Sequence, residues 1–325
     1  MQKLTTVIPV YNGERFLLPT LDAVARQTRP ADRVVVLDNG STDRTPEIVR
    51  TFPLNIEFVR NDTNLGVLGN INKAFSYARA TDYLHILTAD DLVAPTFFEK
   101  LLAALSKCKG PAIGYVHNEE INAEGEVIGP LTRRPSGPPR MVPLTEFLSR
   151  HATLDCVLLP GVIFKTDHQD PVAVLEDFPQ VGDSLLYSDW AKRTGQVIEV
   201  PEYLCQYRFS PFNQTSKNVR DLKRWVLDEW AVMERVANLI DEPPLARRRR
   251  REMLKLRFCA RSCMKVQMMQ PHSPDYAKQI REAAIRLTSL PHWTLGKSAV
   301  LARRAILALR GERWKVGESI DTTAK

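Results

Sequence analysis

Short apolar runs alternate with amphipathic stretches along the first part of the chain. The runs have the length and the Val, Ile and Leu content of buried strands, whereas the stretches between them carry apolar residues at helical spacing. This order predicts strands at 4–10, 33–38, 56–60 and 83–87, with helices at 15–27, 43–52 and 70–80 between them. Apolar strands separated by helices indicate an α/β fold with a mainly parallel, Rossmann-like sheet and flanking helices. In such sheets, ligands bind beyond the carboxyl ends of the strands.

The last third of the chain has apolar residues at helical spacing. Helices are expected at 221–240, 245–269 and 295–314, with a break at Pro243 and Pro244. Charge changes at the start of this region: residues 218–325 contain 23 Lys and Arg against 12 Asp and Glu, a net of +11, whereas residues 1–217 have a net of −4. The pattern therefore predicts an α/β domain over 1–217 followed by a basic helical C-terminal region over 218–325.

The composition is typical of a folded cytoplasmic protein. With 325 residues and 44% hydrophobic content, the chain can bury a sizeable core. The sequence has no apolar run near the roughly 20 residues of a spanning helix, and its N-terminus enters a strand pattern without a signal-peptide cleavage site. Five cysteines without a CxxC pair indicate reduced thiols. Cys259 and Cys263 are expected to be small buried residues of one helix.

Polar and acidic residues collect where each of the four predicted strands ends. Each group alone would be an ordinary turn or helix cap, but four successive strand ends with the same character indicate a binding site along one edge of the sheet. The groups are PVYNG (9–13), DNGSTD (38–43), NDTNLG (61–66) and TADD (88–91).

Asp90 and Asp91 stand side by side with no basic neighbour in the sequence. Neither GxGxxG nor GxxxxGK[ST] occurs, so a nucleotide held at this edge would lack a glycine-rich cradle for its phosphates. Mg²⁺ or Mn²⁺, bound by one or two carboxylates and by phosphate oxygens, would serve instead. Asp90 and Asp91 are therefore the candidate metal ligands. The alternative for Asp91 is the N-cap of a helix over 94–105, which leaves Asp90 unexplained.

The segments VIPVYNG, VVVLDNGSTD, NLGVLGNINKAFSYA and LTADDLVAP together resemble the family 2 glycosyltransferases of the GT-A fold. HNEEINAEGEVIG (117–129) resembles the pair of strands that follows the acidic motif in that family, so the likeness covers about residues 4–210. It implies a nucleotide-diphosphate sugar donor, Mn²⁺ or Mg²⁺ as cofactor, and inverting transfer. Asp90 would be the main metal ligand. The residues that would contact the bound nucleotide sugar are Pro9, Tyr11, Asp38, Asn64, Asn72 and Asp91.

Inverting transfer needs a general base to take the proton of the acceptor hydroxyl. In the family this base is an aspartate before a helix, followed by a strand and a Tyr-Arg segment, and residues 177–209 resemble that frame. The resemblance puts Asp183 at the base position, with Asp189 as the competing candidate. Two residues depart from the family pattern: Thr88 replaces a frequent aspartate and Ser210 a frequent histidine, which predicts weaker metal binding.

Two other classes of function stay open from the sequence: a sugar nucleotidyltransferase, and a non-catalytic nucleotide-sugar binding protein. The first would be expected to have a Gly-rich, basic loop after the first strand, where PVYNGERF offers only Gly13 and Arg15. The second would be expected to lose the base or the acidic pair, whereas Asp90, Asp91 and Asp183 are present. Both count as weaker alternatives to a glycosyltransferase.

The acceptor is expected to be a glycan or a lipid-linked group, in the assembly of cell-surface polysaccharide or glycolipid. The arginine run at 247–251 is most simply a solvated helix face, but with Arg303, Arg304, Arg310 and Trp314 it would also suit an anionic membrane surface. No nucleic-acid-binding motif occurs in the sequence, so nucleic acid is not an expected partner. The prediction is a cytoplasmic protein that binds peripherally to the inner face of the membrane.

Overall fold

The computed structural model describes residues 2–130, 136–155, 157–168, 178–210 and 218–309. The chain divides into two compact units, one made of Met1–Phe147 with Cys156–Phe209 and the other of Leu148–Asp155 with Ser210–Lys325. The boundary expected near residue 217 stays a prediction, because 211–217 lie outside the described residues.

The first unit is built on one mixed sheet, which contains ten strands in the part of the chain that the structure describes. The order is β3-β2-β1-β4-β9-β6-β10-β5, with β7 added to β6 and β8 to β10. Strands β1 to β4 are parallel, β9 is antiparallel to both of its neighbours, and β6 and β10 are parallel. The strands are β1 (Leu4–Val10), β2 (Arg33–Asp38), β3 (Ile56–Arg60), β4 (Tyr83–Ile86), β5 (Leu92–Val93), β6 (Ala112–Ile121), β7 (Val127–Pro130), β8 (Arg140–Met141), β9 (Val162–Lys165) and β10 (Val197–Arg208).

Helices cover both faces of this sheet, so successive strand residues are buried in two separate cores. Ile8 of β1 packs with one cluster that includes Leu21 and Phe98, whereas its neighbour Val7 packs with another that includes Phe164 and Trp190. This explains the continuous apolar runs in the sequence. The helices are α1 (Leu17–Ala25), α2 (Thr45–Thr51), α3 (Gly66–Phe75, extended by a 3₁₀ turn over Ser76–Ala80), α4 (Phe97–Leu105), α5 (Leu144–His151) and α6 (Gly182–Thr194).

The predicted α/β class and the β-α alternation are confirmed, while several helix bounds are corrected. α3 begins at Gly66, four residues before the predicted start, because glycines at 66 and 69 obscure the helical pattern in its first turns. α4 begins at Phe97 and its N-cap residue is Thr96. The alternative that made Asp91 the N-cap of this helix is therefore wrong.

The second unit is helical, as the sequence predicts. A π-helical turn over Lys223–Leu227 leads into α7 (Asp228–Asn238), followed by α8 (Pro244–Met269), α9 (Pro274–Leu287) and α10 (Leu290–Leu309). Cys259 and Cys263 are buried in α8, which confirms their expected role as small core residues. Throughout the described residues, each helix is too short or too polar to cross a membrane.

Candidate active site

The loops after β1 and β2 are held together by hydrogen bonds. The Asn12 backbone N–H donates to Ser41 Oγ at 2.9 Å, and Asn12 Oδ1 accepts from the Thr42 N–H at 2.8 Å. Gly13 fits this junction because a Cβ there would lie 2.5 Å from Val10 Cγ2. Tyr11, a predicted nucleotide contact, keeps half of its surface exposed beside this joined pair of loops, and Pro9 is partly exposed at the end of β1.

Asp38 lies at the end of β2 and is fully buried. Its Oδ1 accepts a hydrogen bond from the Ser41 N–H at 3.0 Å, while Oδ2 has Arg60 Nη1 at 3.4 Å. Oδ2 nonetheless makes no hydrogen bond with the described residues. A buried carboxylate oxygen without a donor is costly, so Asp38 is a fitting acceptor for a base or ribose hydroxyl.

A cluster of asparagine side chains fixes the loop after β3 against the end of β2. Asn39 donates to Asn64 Oδ1 at 2.8 Å and accepts from Asn61 Nδ2 at 3.0 Å, and Asn61 Nδ2 also donates to Asn70 Oδ1 at 2.9 Å. Asn64, a predicted nucleotide contact, is thereby tied into this cluster, and the partly buried Asn72, also a predicted contact, follows on α3. Asn39 and Asn61 fall in the polar groups that follow β2 and β3 in the sequence, but without an assigned role, and Asn70, inside α3, was missed. The signal for the first two was an Asn directly after a strand.

The two adjacent aspartates have different environments. Asp91 is buried, and its carboxylate accepts from the Arg208 backbone N–H at 2.7 Å and from Thr88 Oγ1. Burial, together with the charge of Asp90, raises the pKa of Asp91 well above its usual value. Asp90 is partly exposed; its carboxylate accepts from its own backbone N–H and lies near the charge of Arg208, but no other described residue donates a hydrogen bond to it. Asp90 is thus the member of the pair that can bind a cation.

Arg208 fixes the backbone around the acidic motif. Its Nε donates to the Asp90 carbonyl at 2.8 Å, and its Nη1 donates to the carbonyls of Asn122 at 2.8 Å and Ala123 at 3.0 Å. The guanidinium also lies over the Phe16 ring at 4.8 Å. Burial lowers the pKa of Arg208, although the Asp90 and Asp91 charges oppose this. Arg208 is therefore engaged with backbone carbonyls of the loops around the acidic motif.

Asp183 lies in the first turn of α6, and β10 with its Tyr207-Arg208 end follows that helix. Its Oδ1 accepts the Ser184 N–H at 2.7 Å, and burial raises its pKa to about 6. A carboxylate with a pKa near neutrality is suited to general base catalysis. The competing Asp189 is partly buried, more than one helical turn further along α6.

The residues at this edge of the sheet fit a divalent cation that would also be bound by the diphosphate oxygens of a nucleotide-sugar donor. Within the described ranges no three His, Cys, Asp or Glu side chains form a ready-made metal site. His85 is buried between Thr6 Oγ1 and the Pro160 carbonyl, and His117 pairs with Glu199 at 2.8 Å. One available carboxylate, Asp90, is what Mg²⁺ or Mn²⁺ requires when diphosphate oxygens supply most of the other ligands.

A mixed α/β sheet with flanking helices and an acidic pair after β4 is the arrangement expected of the GT-A fold. Over residues 5–137 the sequence matches the family model described as "Glycosyl transferase family 2". Residues 5–137 thus match this family, which confirms the resemblance seen in the sequence over that part of the chain.

Curated glycosyltransferases match the chain at low sequence identity. An uncharacterized glycosyltransferase of Haemophilus influenzae is 22% identical over 66% of this chain and 67% of its own length. The chondroitin synthase of Pasteurella multocida is 31% identical over 37% of this chain, and the match spans 13% of that much longer protein.

Solved structures show the same fold. S. aureus TarS 1-349 in complex with UDP-GlcNAc has a TM-score of 0.62 and 17% identity, covering 96% of this chain and 93% of that one. The mannosyltransferase PcManGT of Pyrobaculum calidifontis, in complex with GDP-Man and Mn²⁺, has a TM-score of 0.53 and 20% identity, covering 96% and 88%. At these identities the comparison establishes the fold.

Proposed function

We propose that the protein is a metal-dependent inverting glycosyltransferase, which moves a sugar from a nucleotide-diphosphate sugar to an acceptor hydroxyl. The observation that carries this proposal is the contrast between the two aspartates. Both carboxylate oxygens of Asp91 accept hydrogen bonds, one from the Arg208 N–H and one from Thr88, whereas no other residue of the described chain donates to the Asp90 carboxylate. Asp90 would hold Mn²⁺ or Mg²⁺, and the bound cation would neutralise charge on the diphosphate leaving group.

The nucleotide would lie across the carboxyl ends of β1 and β2. Tyr11 would provide an aromatic surface, and Pro9 would line the pocket beside it. Asp38 Oδ2 would accept a hydrogen bond from the base or ribose, since it is buried without a donor. Asn64 and Asn72 would shape the far side of the pocket through the loop and helix that follow β3.

Asp183 would act as the general base. As the acceptor oxygen forms its bond to the anomeric carbon, the bond from that carbon to the diphosphate oxygen breaks, and the hydroxyl proton passes to the Asp183 carboxylate. A pKa raised to about 6 keeps this group mostly ionised at neutral pH while leaving it basic enough to accept the proton. The attack from the opposite side of the sugar inverts the anomeric centre.

The ligands of the structural relatives support this reading without identifying the donor. TarS was crystallised with UDP-GlcNAc, and PcManGT with GDP-Man and Mn²⁺. The two donors differ in both base and sugar, so either nucleotide class is compatible with the fold. We place the reaction in cell-surface polysaccharide or glycolipid assembly, on a glycan or lipid-linked acceptor at the inner membrane surface.

A donor screen tests the proposal. The full chain is incubated with Mn²⁺ or Mg²⁺, one nucleotide sugar at a time and a mixture of simple glycoside acceptors, and released nucleoside diphosphate is measured. Release that depends on metal and acceptor is expected for at least one donor. Pyrophosphate release from a nucleoside triphosphate and a sugar phosphate would instead identify a nucleotidyltransferase, and binding without turnover of any donor would identify a non-catalytic protein.

A further inference from the structure

The structure divides the arginine run of α8 into two groups. Arg250 and Arg251 are paired within the second unit: Arg250 contacts Glu242 through two hydrogen bonds of 2.9 and 3.0 Å, and Arg251 Nη2 lies 3.3 Å from Glu234. The guanidinium groups of Arg247, Arg248 and Arg249 are exposed and form no ion pair within the described chain. Three unneutralised cations therefore face solvent on consecutive positions.

Large apolar side chains lie among these cations. Leu245 is 62% exposed and Met253 54% exposed, and with Arg248 and Arg249 they line a shallow concavity of about 460 Å³. Residues 245, 249 and 253 follow one another at i, i+4 spacing, so they share one side of the helix. We call Leu245, Arg248, Arg249 and Met253 the basic apolar face.

The helix beside this face has the same character. His292, in the first turn of α10, lies 2.8 Å from Glu252 of α8, so the two helices meet next to Met253. α10 exposes Leu290, Leu295 and Leu301 to about half of their surface or more. Leu290, two residues before His292, extends the apolar surface next to Met253.

We propose that the basic apolar face docks on a membrane surface rich in anionic phospholipid. α8 carries nine basic residues and one acidic residue, a charge that complements anionic headgroups. Leu245 and Met253 would enter the boundary between headgroups and acyl chains, as the apolar residues of interfacial helices do. A second copy of the chain is a poorer occupant, because a two-fold contact on this face would bring Arg248 and Arg249 against the same residues of the partner.

The proposal rests on the proposed function only for the reason why a membrane matters, namely a lipid-linked acceptor. The binding itself is measured without turnover. The full chain is sedimented with vesicles of phosphatidylcholine alone and with vesicles containing phosphatidylglycerol. Binding is expected only to the second, and it should weaken as salt rises, because the Debye length shrinks to about 8 Å at physiological ionic strength.

Two triple variants test whether vesicle binding depends on the arginines of this face or only on the total positive charge of the protein. Arg247, Arg248 and Arg249 are changed to Gln in one protein, and the exposed Lys278, Arg281 and Arg286 of α9 are changed to Gln in the control, with the same loss of charge. The first change should reduce partitioning onto anionic vesicles by up to about 100-fold, while the control should stay within a few-fold of the unchanged protein. Equal reductions in both variants would overturn the assignment to this face.

The apolar part is tested with Leu245→Ser and Met253→Ser together, which should lower binding without changing its dependence on salt. Unchanged vesicle binding in this double variant would contradict the insertion of these side chains. Light scattering tests the other occupant: a dimer of the unchanged protein that Leu245→Ser and Met253→Ser together dissociate would overturn the lipid proposal. Vesicle binding without any donor turnover would leave the docking face intact and refute the proposed function.

Discussion

Asp90 and Asp91 are neighbours in sequence with opposite structural roles. Asp90→Ala removes a carboxylate to which no other described residue donates a hydrogen bond, so it should abolish transfer and leave the free energy of unfolding nearly unchanged. Asp91→Ala leaves the Arg208 N–H buried without an acceptor and should cost about 1–3 kcal/mol. Urea unfolding of both variants, beside turnover of the identified donor, checks this. Equal stability of the two variants would contradict the assignment of Asp90 to the metal and of Asp91 to the hydrogen bond with the Arg208 backbone.

Asp183 should control the pH dependence of the reaction. The base must be ionised to accept a proton, so kcat/KM should rise with pH through about 6, where the buried Asp183 titrates. Asp183→Asn should lower the transfer rate about 10²- to 10⁴-fold and leave donor binding near normal. Asp189→Asn is the matched control on the same helix. If Asp189→Asn shows the loss and Asp183→Asn does not, the base is Asp189.

The raised pKa of Asp183 also has a consequence for stability. Between its ordinary value near 3.8 and about 6, the folded protein holds a proton that the unfolded chain has lost. Stability contributed by this group is therefore present below pH 4 and is lost as pH rises to 6. Asp183→Asn should stabilise the protein by roughly 1 to 3 kcal/mol at pH 7 and by little at pH 4. Thermal unfolding at the two pH values measures this difference.

At the residue scale, the sequence identified the acidic motif but not its internal geometry. The family resemblance assigns Asp90 to the metal. The partners of Asp91 are residues 88 and 208, and the pairing with residue 208 is long-range, so it has no local signal in the sequence. The asparagine cluster was missed for the same reason. Each Asn reads as an ordinary turn residue until the sheet brings Asn39, Asn61 and Asn70 together.

Among the elements, the junction of the first two βα loops is tightly packed around Gly13. Gly13→Ala would put a methyl group 2.5 Å from Val10 Cγ2, and such overpacking should cost about 1–3 kcal/mol. Because the same junction carries Tyr11, weaker nucleotide binding should accompany the loss. Gly129→Ala in β7 is the matched control, since a methyl group there meets no neighbouring atom within 4 Å. Equal unfolding midpoints for the two variants would show that the junction can relax.

Element type was easier to predict than element boundaries or pairing. Strands β1, β2 and β4 could be located because both of their faces are buried, which gives apolar runs, whereas β3 lies at the edge of the sheet and is only partly buried. β9 was not foreseen: its four residues, VIFK, form a strand because they fit between β4 and β6, antiparallel to both. That pairing is set by tertiary packing, which local sequence patterns do not carry.

On the scale of the whole molecule, binding of nucleotide and metal should stabilise the fold. A ligand at 100 times its Kd adds about 2.7 kcal/mol to the free energy of unfolding when it binds only the folded state. The melting temperature should therefore rise with nucleoside diphosphate and Mn²⁺ together, and less with either alone. In Asp90→Asn the rise with both should fall to that seen with nucleotide alone. An undiminished rise in that variant would show that Asp90 is not a metal ligand.

The charge pattern predicted the helical, basic character of the C-terminal region but not which cations are free. Five consecutive arginines look equivalent in sequence, and only the helix phase and the positions of Glu234 and Glu242 distinguish them. The fold class could be predicted from the sequence because the hydrophobic periodicity and the family motifs are both contained in short stretches of the chain. The second unit carries no comparable motif, so only the structure shows which of its surface charges are paired.

The bond between the Arg208 N–H and Asp91 joins residues 117 positions apart. Pairs so distant in sequence form late in folding, since the loop entropy must be lost before the contact is gained. During synthesis the strands that carry the acidic motif leave the ribosome long before β10 exists to anchor it. The nascent enzyme should therefore acquire secondary structure first and affinity for its donor only when β10 joins the sheet, so that an incomplete chain cannot sequester nucleotide sugar.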